Sequence, residues 1–297
     1  MNRRLMILCS GQGGQHAGMF DLARSDSQGA AALARSGVSI DADTLFDNEH
    51  AQPAIVAAAL STWATLRDRV PVPSLVAGYS IGELAAYGVA GALSIDVAVS
   101  LARLRANAMD ACVLQPHALA AIGGLPIKAL AALANAHHFE LSIVTGGDSC
   151  IVGGLQAHAA SLELAVNAAA GRFQRLPVAV ASHTALIAEA IPLFAAGLDA
   201  APFTPQLCPV LSGVAATPID GKAAAIDHLS RQLAHTIQWA DCMDTAAEMG
   251  INVALELGPG AALSRMLSER HPAIACRSVS DFRSVDGVIK WLERELD

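Results

Sequence analysis

The chain has 297 residues, of which 53% are apolar and 15% charged, with a net charge of −8, a pI near 5.6 and a mean hydropathy of +0.42. That length buries one large core, or one core and a smaller appended unit, and so apolar a composition excludes a disordered chain. The negative balance without a basic run excludes general nucleic-acid binding, and apolar runs such as 51–66 fall short of the about 20 residues of a membrane span, so a soluble, cytoplasmic protein is expected.

Arg3-Arg4 precedes the apolar run Leu5 to Cys9, which is too short for the apolar part of a secretory leader and reads as the first core strand. The six cysteines stand singly with no C-x-x-C pair. They read as reduced, buried small hydrophobes, and no metal site is expected. The loop Ser10-Gly11-Gln12-Gly13-Gly14-Gln15 lacks the G-x-G-x-x-G spacing of a dinucleotide fingerprint. Its glycines let the backbone pass close to another element and leave Gln12 as a polar group beside it. Gln52-Pro53 opens a core helix that Ala54 to Leu66 continues.

The short apolar run Ser74-Leu75-Val76-Ala77 reads as a buried strand, and the pattern changes to that of a helix at Leu84-Ala85-Ala86-Tyr87, continuing over 84–90. Ser80 therefore stands on a strand-to-helix turn between Gly78 and Gly82, the G-x-S-x-G nucleophile elbow. Backbone N–H groups at the start of the following helix can stabilise an oxyanion there, and a serine hydroxyl needs a base to become a nucleophile. Ser94-Ile95-Asp96 caps a second helix running through Met109 that carries Arg103 and Arg105. By pattern alone each arginine is an ordinary solvated side chain.

From about Leu119 the texture changes. Strand Ala118–Gly123, helix Ile127–His137, strands Leu141–Val144 and Cys150–Val152 about Gly146-Gly147-Asp148, helix Ala157–Ala170 and strand Phe173–Val180 give the order βαββαβ. That is a split βαβ, ferredoxin-like unit, here placed at 117–181 between the halves, 1–116 and 182–297, of a larger domain. Val180-Ala181-Ser182-His183-Thr184 reads as a strand reaching a polar turn before the helix Ala185–Leu198, and His183 is the best base for Ser80. His137 and His138 fall at a helix end, His158, His228 and His271 on the surface, and His16, His50 and His117 in loops. Pro209–Ser212 and Val253–Leu257 read as further parallel strands, which makes the fold class α/β, with a large α/β-hydrolase-like domain and a mostly parallel sheet.

Taken together these residues resemble the malonyl-CoA:acyl-carrier-protein transacylases and related acyltransferase domains over nearly the whole chain. The segments that carry the likeness are Gly11-Gln12-Gly13-Gly14-Gln15, Gly78-Tyr79-Ser80-Ile81-Gly82-Glu83, Arg105, Ser182-His183, Gln232-Leu233 with Gln238-Trp239, and Glu256-Leu257-Gly258-Pro259-Gly260. The resemblance implies Ser80 as nucleophile and His183 as its base. It implies an oxyanion hole from the Ile81 N–H and the Gln12 region, Arg105 as the grip on the malonyl carboxylate, and the Gln232 backbone carbonyl as the group that orients His183. It further implies malonyl-CoA as donor, no permanently bound cofactor, and an acyl carrier protein as partner.

Tyr79 in place of the family's histidine, Ala106 in place of its glycine, Leu211-Ser212-Gly213, and the tail Arg277 to Ser284 look more like the transacylase subunit of bacterial malonate decarboxylase. That likeness implies a carrier subunit bearing phosphoribosyl-dephospho-CoA as acceptor and the other decarboxylase subunits as neighbours. The alternative is the transacylase of fatty-acid or polyketide synthesis. Two other classes compete: a serine hydrolase, disfavoured because His183 lies mid-chain, and a noncatalytic carrier-docking subunit, which has no need of elbow and histidine together.

Overall fold

The structure is a computed structural model that describes residues 3–297. Its strands in chain order are β1 (Leu5–Cys9), β2 (Leu75–Gly78), β3 (His117–Gly123), β4 (Phe139–Val144), β5 (Ser149–Leu155), β6 (Arg172–Arg175), β7 (Val210–Leu211), β8 (Pro218–Ile219), β9 (Ile237–Gln238), β10 (Val253–Leu257) and β11 (Ala275–Ser278). They form two sheets in a mixed α/β fold.

The larger sheet has the order β11-β10-β1-β2-β7-β8, parallel throughout except for the β7–β8 edge pair. Every residue of β1, β2 and β10 is buried, as a parallel sheet covered on both faces requires. One cover is the helix Asn48–Leu66, whose run Ala57-Ala58-Ala59 is wholly inaccessible and lets neighbouring backbones approach closely. Ile55 and Leu66 on the same helix are also fully buried, each contributing roughly 1.5–3 kcal/mol. Pro53 lies inside this helix rather than opening it, because the helix starts five residues earlier at Asn48. Ser94 is the residue before the helix Ile95–Asp110, but its side chain makes no capping hydrogen bond.

The smaller sheet has the order β6-β3-β5-β4-β9. Its first four strands pair antiparallel, and the helices Ile127–Ala136 and Ala159–Ala168 pack on it around Leu130, Phe139, Val152 and Leu162. Strand β9, from the C-terminal part of the chain, adds in parallel to the free edge of β4, so this sheet draws on residues beyond 117–181. Covering the edge satisfies backbone groups that would otherwise stay open.

Some predicted boundaries shift. The strand expected over 173–180 stops at Arg175, and Val180 to Thr184 is irregular, so His183 does not stand at a strand end. Pro177 lacks the N–H a ladder needs. The helix expected from Ala185 begins as a 3₁₀ segment, Ala185–Ala190, before Ile191–Ala200. His117 is the buried first residue of β3, not a loop residue. Among the described residues no helix is long and apolar enough to cross a membrane.

Candidate active site

The site begins at the end of β2, where the chain turns into the helix Ile81–Val89. Ser80 takes φ 56° and ψ −119°, a conformation that L-residues rarely adopt and that surrounding bonds must hold. Tyr79 N–H donates to Cys9 O at 3.0 Å, Gly82 N–H to Tyr79 O at 3.0 Å and Glu83 N–H to Ser80 O at 3.0 Å. A side chain on Gly78 would collide with the backbone of Gly82, and one on Gly82 with the Cys9 carbonyl, so both glycines are steric necessities of the elbow. Ile81 opens the helix, where an N–H has no intrahelical acceptor, and it finds none elsewhere among the described residues. The Gln12 N–H is equally free, in a loop held against the elbow: a Cβ on Gly11 would sit 2.7 Å from Tyr79 O.

His183 reaches Ser80 across 103 residues of chain, its Nε2 lying 2.8 Å from Ser80 Oγ. The imidazole is 1% exposed and its backbone, at φ 62°, is tied by an N–H bond to Leu233 O at 2.8 Å. Nδ1 lies 2.5 Å from the backbone carbonyl of Gln232. A carbonyl only accepts, so Nδ1 carries the proton and Nε2 is left to accept from the serine hydroxyl. Gln232 ends the helix Lys222–Gln232, where carbonyls lack helical partners and the dipole is negative, which suits an N–H donor. Burial, then the Arg105 charge, push the imidazole down to about 3 against the opposing pull of that carbonyl. The ring is therefore neutral at physiological pH.

Arg105, on the helix Ile95–Asp110, points inward and is 2% exposed, which corrects the solvated reading of its pattern. Its Nη1 donates to Gln52 Oε1 at 2.7 Å, and Nη2 donates to Gln232 Oε1 at 3.2 Å and to Ser80 Oγ at 3.5 Å. Its partners are all neutral, and burial pushes the guanidinium down to about 10 while Glu83 pulls the other way. Gln52 is held in turn by Asn48 Oδ1 at 2.7 Å, and Asn48 by Asp110 at 2.9 Å. A cavity of about 480 Å³ has walls from around both sheets, with Gln12, Asn48 and Asp110 on one side and His117, Gln156 and Arg175 on the other.

The structure thus brings Ser80, His183, Arg105 and Gln232 into direct contact. Ile81 presents its free N–H at the elbow, and Gln12 lies in the adjoining loop. Sequence reading missed Gln52 and the side chains of Glu83 and Gln232 as members of this network. For Glu83 a signal existed: an acid inside the apolar run Ile81-Gly82-Glu83-Leu84-Ala85-Ala86 has to be buried with partners. The six cysteines make no disulfide and none hydrogen-bonds to these side chains among the described residues, and burial raises the thiols of Cys9, Cys150, Cys208, Cys242 and Cys276.

A family model described as acyl transferase domain matches residues 6–283. The malonyl CoA-acyl carrier protein transacylase of Mycobacterium bovis is 31% identical over 300 aligned residues, covering 95% of this chain and 98% of its own. The crystal structure of MCAT from Mycobacterium tuberculosis superposes with a TM-score of 0.89 at 28% identity, covering 98% of this chain and 99% of that one. That of FabD from Acinetobacter baumannii gives 0.90 at 26%, covering 100% and 99%. Because these matches run through both sheets and not merely the elbow, they concern the chain as a whole, which belongs to the acyl transferase domain family alongside the malonyl CoA-acyl carrier protein transacylases.

Proposed function

We propose that the chain transfers a malonyl group from malonyl-CoA to the thiol of an acyl carrier protein through an ester on Ser80. One observation carries this reading: a buried arginine with only neutral partners stands 3.5 Å from the hydroxyl of a serine–histidine pair. A buried cation whose hydrogen-bond partners are all neutral, with Glu83 one amide away, is costly, and its planar fork suits a carboxylate, so an acyl group ending in a carboxylate completes the site.

In this reading His183 Nε2 takes the Ser80 proton as Oγ attacks the thioester carbonyl. The carbonyl oxygen, now negative, is met by the Ile81 N–H and the Gln12 loop. Collapse breaks the C–S bond, His183 returns the proton to the CoA sulfur, and malonyl-Ser80 remains. The carrier thiol then reverses the sequence, giving its proton to His183 and taking the acyl group. A neutral carbonyl suffices to orient the histidine, since both halves are thioester–ester exchanges and no amide is cleaved. The order of the smaller sheet supports a split βαβ, ferredoxin-like unit at 117–181 inserted into an α/β-hydrolase-like domain of 1–116 and 182–297. The exposed Arg172 and Arg175 on that unit give an acidic carrier a basic contact on a chain otherwise net negative.

A second reading makes the chain the malonate decarboxylase transacylase subunit, with a phosphoribosyl-dephospho-CoA carrier as acceptor. It rests on Tyr79, Ala106, Ser212 and the 277–284 tail. The relatives' names favour the CoA-to-acyl-carrier-protein reading. The test of the proposal is intact mass after incubation with malonyl-CoA: a malonyl adduct on the wild type and none on Ser80→Ala. An adduct that persists in the variant rejects it. Competition between a fatty-acid carrier and the decarboxylase carrier for malonyl groups from acylated enzyme separates the two readings.

A further inference from the structure

Glu83 lies in the first turn of the elbow helix, three residues after Ser80, with 0% exposure. Its Oε2 accepts from Gln232 Nε2 at 2.5 Å and from the Gly213 N–H at 3.0 Å, while Oε1 is buried without a partner. Fixing the nitrogen end of the Gln232 amide on Glu83 turns its oxygen toward Arg105, 3.2 Å away. The backbone carbonyl of the same residue holds His183 Nδ1. The turn that supplies the Gly213 N–H is secured in its own right: Ser212 Oγ lies 2.8 Å from His228 Nδ1, and His228 stands one turn before Gln232 on the same helix. Glu83 is thus clamped between a turn and a helix that are also joined to each other.

We infer that Glu83 is a positioning residue that holds Gln232 in place through these hydrogen bonds, and through Gln232 sets both the guanidinium of Arg105 and the carbonyl that orients His183. The inference rests on the transfer reading for its kinetic consequence. Without Glu83 the Gln232 amide is free to turn over, and the last residue of the helix loses the contact that fixes its side chain while its carbonyl carries the histidine. Because the carboxylate touches neither serine nor acyl group, its effect belongs to every donor, whereas that of Arg105 belongs to donors with a free carboxylate.

The experiment compares wild type, Glu83→Ala, Glu83→Gln and Gln232→Met with malonyl-CoA and acetyl-CoA, kcat being counted per Ser80 that can be acylated. Glu83→Ala is expected to lower kcat on both donors by about 10- to 100-fold, the range for outer partners of a working group. Glu83→Gln keeps an oxygen for both N–H bonds and is expected to restore kcat to within a few-fold. Gln232→Met, which keeps the backbone carbonyl but removes the amide bridge, is expected to fall with Glu83→Ala. A second readout is the low-field Nδ1–H proton resonance, identified by its absence in His183→Ala. It should move or broaden in Glu83→Ala and Gln232→Met and return in Glu83→Gln. A purely structural glutamate would lower the amount of acylatable enzyme and leave kcat per site and the resonance unchanged, which overturns the inference. So would a Glu83→Gln variant as slow as Glu83→Ala, or a Gln232→Met variant at the wild-type rate. If the wild type forms no malonyl ester, the transfer reading falls by itself, and the histidine resonance, which needs no substrate, still decides the role of Glu83.

Discussion

In the proposed transfer, attack by Ser80 turns on a base with a free lone pair near neutrality, and the surroundings of His183 supply one by keeping it neutral down to about pH 3. The rate of Ser80 acylation is therefore expected to show no acid limb at pH 6–7 belonging to an imidazole. Glu83, raised by burial to about 7, titrates in that window, so the measurement is made in parallel on Glu83→Gln. A limb that persists in the variant contradicts the neutral-histidine assignment. His183→Ala is expected to slow acylation by about 10²- to 10⁴-fold, as loss of a general base does, with the fold retained by circular dichroism. At Arg105 the consequence is selectivity: Arg105→Ala is expected to lose malonyl transfer and gain relative activity on acetyl-CoA, because the buried charge that rejects an uncharged acyl group is gone. Equal losses on both donors, measured as kcat/KM, would mark a structural arginine. Ser80 was legible from its two glycines. Arg105 was legible only through the family resemblance, since its 2% exposure comes from partners on neighbouring helices and its own pattern is that of a solvated residue.

The elbow is an element whose geometry the sequence carries almost whole. Gly78 and Gly82 each face backbone where a methyl group does not fit. Gly82→Ala is expected to destabilise the protein by at least the about 1–3 kcal/mol typical of overpacking, because backbone cannot move aside as a side chain can. A thermal unfolding midpoint equal to that of wild type would refute that packing. The strands Leu5–Cys9 and Val253–Leu257 were readable to the residue, being runs that are apolar but for Glu256 and are closed by glycine-containing loops. The strand expected at 173–180 was overextended because apolar residues continue past Pro177, where the ladder has already ended. The helix start at Asn48 was hidden by Pro53, which looked like a first-turn proline but sits in an interior turn.

Across the molecule two buried groups give opposing pH dependences. His183, lowered to about 3 from 6.5, favours the folded state above pH 6.5, and that contribution is lost as pH falls from 6.5 toward 3. Glu83, raised to about 7 from 4.5, favours the folded state in its protonated form, and that contribution is lost as pH rises from 4.5 through 7. Glu83→Gln removes only the second. Its unfolding midpoint relative to wild type is therefore expected to be higher at pH 8 than at pH 5, and the reverse order in paired thermal scans would remove Glu83 from this account. By itself the sequence determined the α/β class, the elbow serine and the βαββαβ order, because each rests on local periodicity and on glycine stereochemistry. It also presented His183 as the best base, though through a strand end that is not there. Only the tertiary structure decided that β9 closes the edge of the smaller sheet, that Arg105 faces inward on neutral partners, and that Glu83 and Gln232 join the arginine to the histidine. Those contacts join residues far apart in the chain, 149 positions in the case of Glu83 and Gln232, and no local pattern encodes which distant side chain will stand opposite a buried charge.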